Sequence, residues 1–375
     1  MIATIAATLL AAGSAMAGPA WEPPQPRKIA GGLHDGDLSG PRIRPDGGYI
    51  AYGIVEARAD GSPRARYFAR SLGEDRQFRS IWPKQHASFE ETEGTASFTD
   101  LLDFVWHPDG RRNAMVVRHK TKGGEVMLEL TNVRFGGPGD QDQPVFSADG
   151  GRVAVVAEGE LGRELWIANV EHNAELEQLT WTRDSERWPA FHPSEPKVLH
   201  EIRNRLTKRS DLFLFDLEFY EQLPLVRLEE SDEIHPSWSP DGTYFAFLTN
   251  KDDPRGLRYD LVIGKPGDTA FTTLATGVKV TERARGYCWD PTGRWILFAQ
   301  DGADQPISAV AADGSGKPKS LGLTTKGNLE PDMTVVEGVA HLAWVASDPA
   351  GKWRVVYVAE LDVAALESHL GLPPL

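Results

Sequence analysis

The 375-residue chain has one cysteine, Cys288, so no internal disulfide can form and no C-x-x-C zinc or redox pair exists. Positive charge is also short. Forty Lys and Arg stand against 54 Asp and Glu, giving a net charge of −14 and a pI near 5.2. That balance argues against a nucleic-acid binder, whose footprint is a basic patch, and against docking on an anionic lipid surface. Long apolar runs are missing: Ile2–Ala12 falls below the roughly 20 residues that cross a bilayer. There is no G-x-S-x-G nucleophile elbow and no H-E-x-x-H zinc helix. Helical periodicity is missing from the body of the chain, where apolar residues alternate with period two.

What is present is a repeat. The clearest copy is PSWSPDGTYFAFLTN, Pro236–Asn250. Trp238 sits on a first strand, Pro240-Asp241-Gly242 makes a turn, and Phe245 and Phe247 alternate on a second strand. Related hairpins start at Pro41, Phe104, Pro144, Pro189 and Tyr287, with a degraded one at Pro331. Their turn positions Asp46, Asp109, Asp149, Ser194, Asp241, Thr292 and Glu337 are spaced by 63, 40, 45, 47, 51 and 45 residues. Each hairpin leads to a second, as DLFLFDL (Asp211–Leu217) leads to LPLVRLE (Leu223–Glu229). About four strands in roughly 45 residues is the blade of a β-propeller. The fold expected is all-β: a propeller of four-stranded blades, seven by hairpin count, with six as the alternative. The aspartates of the D-G turns read as turn formers, not as catalytic groups.

The ends carry different signals. Residues 1–17 fit a signal peptide, with Ala15-Met16-Ala17 as the cleavage pattern, although no Lys or Arg precedes the apolar run. The expected location is the periplasm or outside the cell. Residues 18–26, rich in Pro and Gly, read as an extended spacer. Residues 27–361 make the propeller. The last unit supplies only three strands, so PRKIAGG (Pro26–Gly32) is expected to add the fourth and cover its open edge. Residues 362–375 form a helical tail with Val363, Leu366 and Leu370 on one face, stopped by Gly371 and prolines. The longest step between repeats contains Ser80–Phe98, a surface excursion or lid.

The P-x-[WF]-S-x-D-G pattern at Pro236–Gly242 and Pro144–Gly150, and more weakly at Pro41–Gly47, resembles the TolB-like β-propeller repeat. The resemblance covers nearly all of the chain after the leader. It implies a propeller and, by analogy with TolB, export and a protein ligand at one channel mouth. TolB itself binds peptidoglycan-associated lipoprotein there. The N-terminal α/β domain of TolB has no counterpart in this sequence.

In a propeller the connections between blades converge on one channel mouth. Here they are mixed acidic, arginine-bearing and aromatic loops, and aromatics and arginines are enriched at interfaces. The candidate contacts are the aspartates on either side of Gly36 (Asp35 and Asp37), Asp140, Trp181, Asp184, Arg187, Trp188, Asp232, Glu233, His235, Arg283, Arg285 and Glu330. The function expected is non-catalytic: a binding module or scaffold, in a monomer or an envelope complex. Its partner would be a protein, with a glycan as the alternative. No cofactor is expected. The competing reading is a metal-assisted carbohydrate lyase or hydrolase with its site in the channel. His192, His235 and Glu330 are the best ligand set for a divalent metal, and Asp184, Asp232 and Glu233 could hold calcium.

Overall fold

The computed structural model describes residues 21–30, 36–57, 61–73, 78–81, 98–119, 123–128, 139–170, 175–253, 255–281 and 284–373. The leader, and the stretch 82–97 that holds most of the Ser80–Phe98 excursion, lie outside them. The described chain is strands and one short helix.

The strands fall into antiparallel meanders in sequence order. Unit 1 holds Gly36–Ile43, Tyr49–Ala57, Pro63–Ser71 and Phe78–Ile81. Unit 2 holds Phe98–Trp106, Asn113–His119 and Gly123–Leu128. Asp142–Phe146, Arg152–Glu158, Arg163–Asn169 and Glu177–Gln178 make unit 3. Ser185–Phe191, Lys197–Arg203, Ser210–Asp216 and Glu221–Val226 make unit 4, joined to unit 3 by one parallel bridge between Arg163 and Ser185. Unit 5 is Glu233–Trp238, Phe245–Thr249, Tyr259–Gly264 and Thr272–Val278. Unit 6 is Tyr287–Trp289, Trp295–Ala299, Ile307–Ala311 and Lys319–Ser320. Unit 7 is Leu329–Val336, Val339–Ser347 and Arg354–Asp362. Its fourth strand comes from the other end of the chain: Arg27–Ala30 pairs antiparallel with Arg354–Asp362, Arg27 opposite Val358.

The turns form as their residues dictate. In unit 5, Gly242 has φ +75° and its N–H bonds the Ser239 carbonyl at 2.9 Å. Asp241 Oδ1 accepts from Ser239 Oγ at 2.6 Å and from Thr243 N at 3.0 Å. Asp46, Asp109 and Asp149 close their turns in the same way, accepting from Gly48 N, Arg111 N and Gly151 N. These bonds favour the ionised form and hold the four carboxyls below their ordinary range, against the opposing effect of partial burial.

The core lies between units, not within them. WILFA of unit 6 is buried on both faces: Trp295, Leu297 and Ala299 pack toward unit 7, while Ile296 and Phe298 pack toward unit 5. Phe245 and Phe247 likewise face unit 4, and Ala246 and Leu248 face unit 6. Further apolar clusters join unit 1 to 2, 2 to 3 and 3 to 4. One more joins the last unit to the first: Leu329, Val345 and Val356 pack with Leu38, Ile50, Tyr52 and Ile29.

The tail is helical from Val363 to Leu370, as its pattern predicts. Asp362 caps it by accepting from Ala365 N at 2.7 Å, and Gly371 ends it at φ +84°. Leu366 and Leu370 pack into the cluster between units 6 and 7.

Arg27–Ala30 covers the outer edge of unit 7 and buries Ile29. Deleting residues 21–30 should lower the melting temperature by roughly 5–10 °C, read by calorimetry. A melting curve that does not move would show that this strand carries no stability.

Candidate functional site

Five inner strands carry the same irregularity. At Gly40-Pro41, Gln143-Pro144, Trp188-Pro189, His235-Pro236 and Glu330-Pro331 the pairing slips. The residue before each proline has a positive φ, between 52° and 55°. A left-handed residue other than glycine is uncommon, and for a bulky one the strain is roughly 1–3 kcal/mol. These residues form a belt. Trp188 N–H donates to Gln143 Oε1 at 2.6 Å, and Gly40 N–H to Glu330 Oε2 at 2.6 Å. The Trp188 ring lies 4.3 Å from that of His235, whose Nδ1 reaches the Arg285 carbonyl at 3.2 Å. Arg285 then ties two inner strands together: Nε donates to Pro236 O at 3.0 Å and Nη2 to Pro189 O at 3.1 Å, with the guanidinium over the Trp188 ring. Burial pushes the His235 pKa down to about 3, so its ring is neutral.

A second repeated device sits just outside the belt. Asp37 Oδ1 accepts Arg354 N at 2.7 Å, Asp100 accepts Ala65 N at 2.8 Å, Asp140 accepts Gly124 N at 3.2 Å and Asp232 accepts Ser210 N at 3.0 Å. Each aspartate near an inner-strand start thus holds the third strand of the unit before it. Asp37 adds a two-pronged pair with the Arg354 guanidinium.

Three cavities follow the belt. One of about 280 Å³, in the middle, is lined from units 1, 2, 3, 4 and 6 by Arg42, Tyr67, Asp103, Asp142, Trp188 and Arg285. A second, about 300 Å³, opens over units 4 and 5 between Arg187, Trp188, Glu201, Asp232, His235 and Tyr259. A third, about 600 Å³, is bounded by Asp37, Glu56, Thr281, Glu330, Trp353 and Arg354.

Solved structures with this arrangement exist. An oligogalacturonate lyase in complex with manganese matches with a TM-score of 0.62 at 13% identity, covering 91% of this chain and 94% of its own. The β-propeller domain of the Trilobed protease from Pyrococcus furiosus matches at 0.58 and 14% identity, over 88% and 95%. The fold is that of a β-propeller. A putative TolB from Agrobacterium tumefaciens is also among the similar structures, at 0.46 and 14% identity, over 64% and 82%. No protein-family model matches the sequence, and no curated protein matches it.

The propeller places the residues expected at its mouth in three groups. Trp181 is 64% exposed, and Arg187 lies half-buried beside Glu201 and His235, its side chain making no hydrogen bond to any described residue. Trp188, His235, Arg285 and Glu330 form the belt. Asp37, Asp140, Asp184, Asp232 and Glu233 are spent on the scaffold. Asp184 accepts from Arg205 N at 2.8 Å, and Glu233 from Ser231 Oγ at 2.6 Å and Thr249 Oγ1 at 3.1 Å. Asp35 and Arg283 lie outside the described residues. The belt itself escaped sequence reasoning. Its signal is the residue preceding each motif proline, read there only as a loop end.

His192 and His235 do not converge with Glu330. His192 belongs to the turn rim: Nδ1 accepts from Ser194 N and Glu195 N, and Nε2 donates to Gly242 O of the next unit at 3.1 Å. His107 repeats this clamp on Gly150 O at 3.0 Å. A Cβ at Gly242 would fall 2.4 Å from the His192 ring, so the clamp needs glycine there. His200, on a second strand, is fully buried and bonds Gln222. Among the described residues no three His, Cys, Asp or Glu side chains gather as a metal site.

A pair of carboxyls lies under the Trp181 loop. Glu164 and Glu186 are fully buried, held by the Thr180 hydroxyl at 2.8 Å, Thr182 N at 2.7 Å and the Thr182 hydroxyl at 3.1 Å. Burial pushes both upward, Glu186 to about 8 with help from the Glu164 charge.

Two predictions follow from these positions. The raised Glu186 pKa means the folded state keeps a proton that the unfolded chain gives up above about 4.5. Stability from this source is full below that pH and is lost as pH rises through about 8. Melting from pH 6 to 9 should show the fall, and Glu186→Gln should flatten it. An equal slope in the variant would remove the pair as its cause. Arg285→Ala should cost roughly 2–4 kcal/mol in urea unfolding, because two buried carbonyls lose a charged donor. Trp181→Ala should cost under about 0.5 kcal/mol. Equal effects at the two sites would contradict the division between belt and surface.

Proposed function

We propose that this chain is an exported, non-catalytic binding propeller that holds a protein partner at its channel mouth, over units 3 to 5. The ring in this reading has seven blades, one per unit, and is closed by Arg27–Ala30. The cluster joining unit 7 to unit 1 supports that count. The leader, with its apolar run and Ala15-Met16-Ala17, supports export. No helix among the described residues is long and apolar enough to cross a membrane.

One observation carries the reading. On the rim where blades connect, the large apolar side chains exposed among the described residues are Leu161, Trp181, Leu206 and Leu257, all on units 3 to 5. Their loops are tied to one another. Gly162 abuts the carbonyl of Asp184, Asp184 bonds Asn204 and Arg205, and Asp232 bonds both Ser210 N and Asn250. Asn250 Nδ2 in turn reaches Gly256 O. The four side chains therefore stand on one stiff rim beside the cavity at Arg187. A clustered, pre-ordered apolar surface with arginines is the anatomy of an interface.

The oligogalacturonate lyase likeness keeps a channel-sited carbohydrate enzyme as the second reading. A binder is favoured over it because His192 clamps a turn of the opposite rim while His235 lies in the belt against Trp188 and Arg285, so the proposed ligands do not meet.

The test is affinity capture from the native extract with the chain from residue 21 onward. Trp181→Asp with Leu206→Asp should reduce recovery of the captured protein at least about tenfold while the melting temperature stays within about 2 °C. Arg285 is left intact, since its loss would disturb the belt. Recovery that does not change, or stoichiometric turnover of oligogalacturonate by the purified chain, would overturn the reading.

A further inference from the structure

The hairpin tip between the second and third strands of unit 4 reads RNRLTKR, residues 203–209. It carries four cations, Arg203, Arg205, Lys208 and Arg209, and no acid. The chain as a whole is at −14, so everything outside these seven residues sums to −18. All four side chains are exposed, and none makes an ion pair with a described residue. Arg183 and Lys251 on the flanking loops are likewise exposed and without an ion pair. Leu206, 83% exposed, stands in the middle of the tip.

Nothing in the fold asks for this charge. Asp184 and Asp232 lie beside the hairpin, but their oxygens are taken by Arg205 N, Asn204 Nδ2, Ser210 N and Asn250 Nδ2. The tip is held by its own backbone, by Asn204 and by one bond from Arg203 Nε to Lys208 O at 3.2 Å, while the side chains of the other three cations make no such bond among the described residues. Lys208 N bonds Asn204 O at 2.9 Å, and Asn204 Oδ1 accepts from Leu206 N at 2.9 Å and Thr207 N at 3.0 Å. Clustered like charges repel, so the arrangement weakens the free chain slightly and gains only when an anion arrives. A tip already ordered loses little entropy on binding.

We propose that the Arg203–Arg209 hairpin seats an acidic segment of the protein partner, in which one or two apolar side chains flanked by Asp and Glu close over Leu206. This deepens, and rests on, the reading of the mouth as a protein-binding surface. An apolar anchor encircled by unpaired cations is complementary to an amphipathic acidic peptide. An extended anionic surface fits less well. A bilayer or a nucleic acid would also meet Glu158, Glu160, Glu229, Glu230 and Asp252, which are exposed on the same rim. A short peptide can avoid them.

The experiment uses the chain from residue 21 and two arrays of twelve-residue peptides. In one, Asp and Glu fill all but one to three apolar positions; in the other, Asn and Gln replace the acids. The acidic array should bind and the neutral one should not. Affinity should fall about tenfold or more from roughly 50 to 300 mM salt. The quadruple variant Arg203→Ser, Arg205→Ser, Lys208→Ser, Arg209→Ser should lose binding about tenfold or more, with an unchanged melting temperature. Leu206→Ser should weaken it with the salt dependence kept. Equal binding of both arrays, or no loss in the quadruple variant, overturns the inference. Binding to vesicles of anionic phosphatidylglycerol in preference to the acidic array also overturns it, in favour of a membrane. The whole-partner capture described above is scored separately. Capture that survives the quadruple variant leaves the binding propeller standing and removes the acidic segment. Acidic-peptide binding without any captured protein removes the partner reading alone.

Discussion

A sheet whose second strand is apolar on both faces cannot be stable alone. WILFA of unit 6 and FAFLT of unit 5 are buried at every position, and their odd and even residues belong to different clusters. Each unit therefore depends on a neighbour on either side, and the dependence runs from the last unit back to the first. Period-two alternation, which in a lone sheet would separate core from solvent, here separates one neighbour from the other. The sharing also explains why a short strand such as Glu177–Gln178 is tolerated. The outermost strand joins the interfaces where it is longer, with Val226 in unit 4 and Leu274 and Val278 in unit 5.

Two rims follow from this packing, and they are built from different chemistry. The turn rim is a set of local, repeated solutions: Asp-Gly turns, with His107 and His192 donating into the next unit's glycine carbonyl. It is closed and stereotyped. On the mouth rim, aspartates reach across to the preceding unit and the residues before the prolines are strained. That strain is stabilised by contacts between units, not within them. Gln143 needs Trp188, the Trp188 ring lies tilted against that of His235, and Arg285 spans the strands of both. The mouth is where backbone geometry is least relaxed and where side-chain identity varies most from unit to unit. Those are the conditions under which a binding surface can differ between propellers that share a fold.

Much of the architecture was legible because it is written in local signals. The D-G turns, the alternating strands, the three-stranded last unit and the strand from Pro26 onward each follow from composition and spacing. The tail helix follows from the spacing of Val363, Leu366 and Leu370, and from Gly371 and the prolines after it. The mouth was legible only as a region. Asp37, Asp140 and Asp232 look like free acids in a loop, and only the fold shows them taken by the third strand of the preceding unit, 317, 16 and 22 residues away in the chain. Arg285 looks like a surface arginine, yet its partners lie 49 and 96 residues away. His192 could be read as a ligand because its true acceptor is a glycine carbonyl of the next unit, which sequence does not mark. Non-local hydrogen bonds, not local propensity, decide which polar residues remain for a ligand.

The same logic changes what the net charge means. A formal count treats all 54 acidic side chains alike. Around unit 4, however, Glu164, Glu186, Glu201 and Glu233 are buried and pushed up in pKa by loss of water, and Glu186 is mostly protonated at neutral pH. Arg203, Arg205, Lys208 and Arg209 stay in solvent. Acid is thus withdrawn into the protein at the very place where base is displayed outside it. The sequence average, acidic throughout, hides a hairpin of four exposed cations and the positive field close around it. Screening confines that field to about 8 Å at physiological salt. At that range the hairpin and its neighbouring loops set the local field, and not the acidic body behind them.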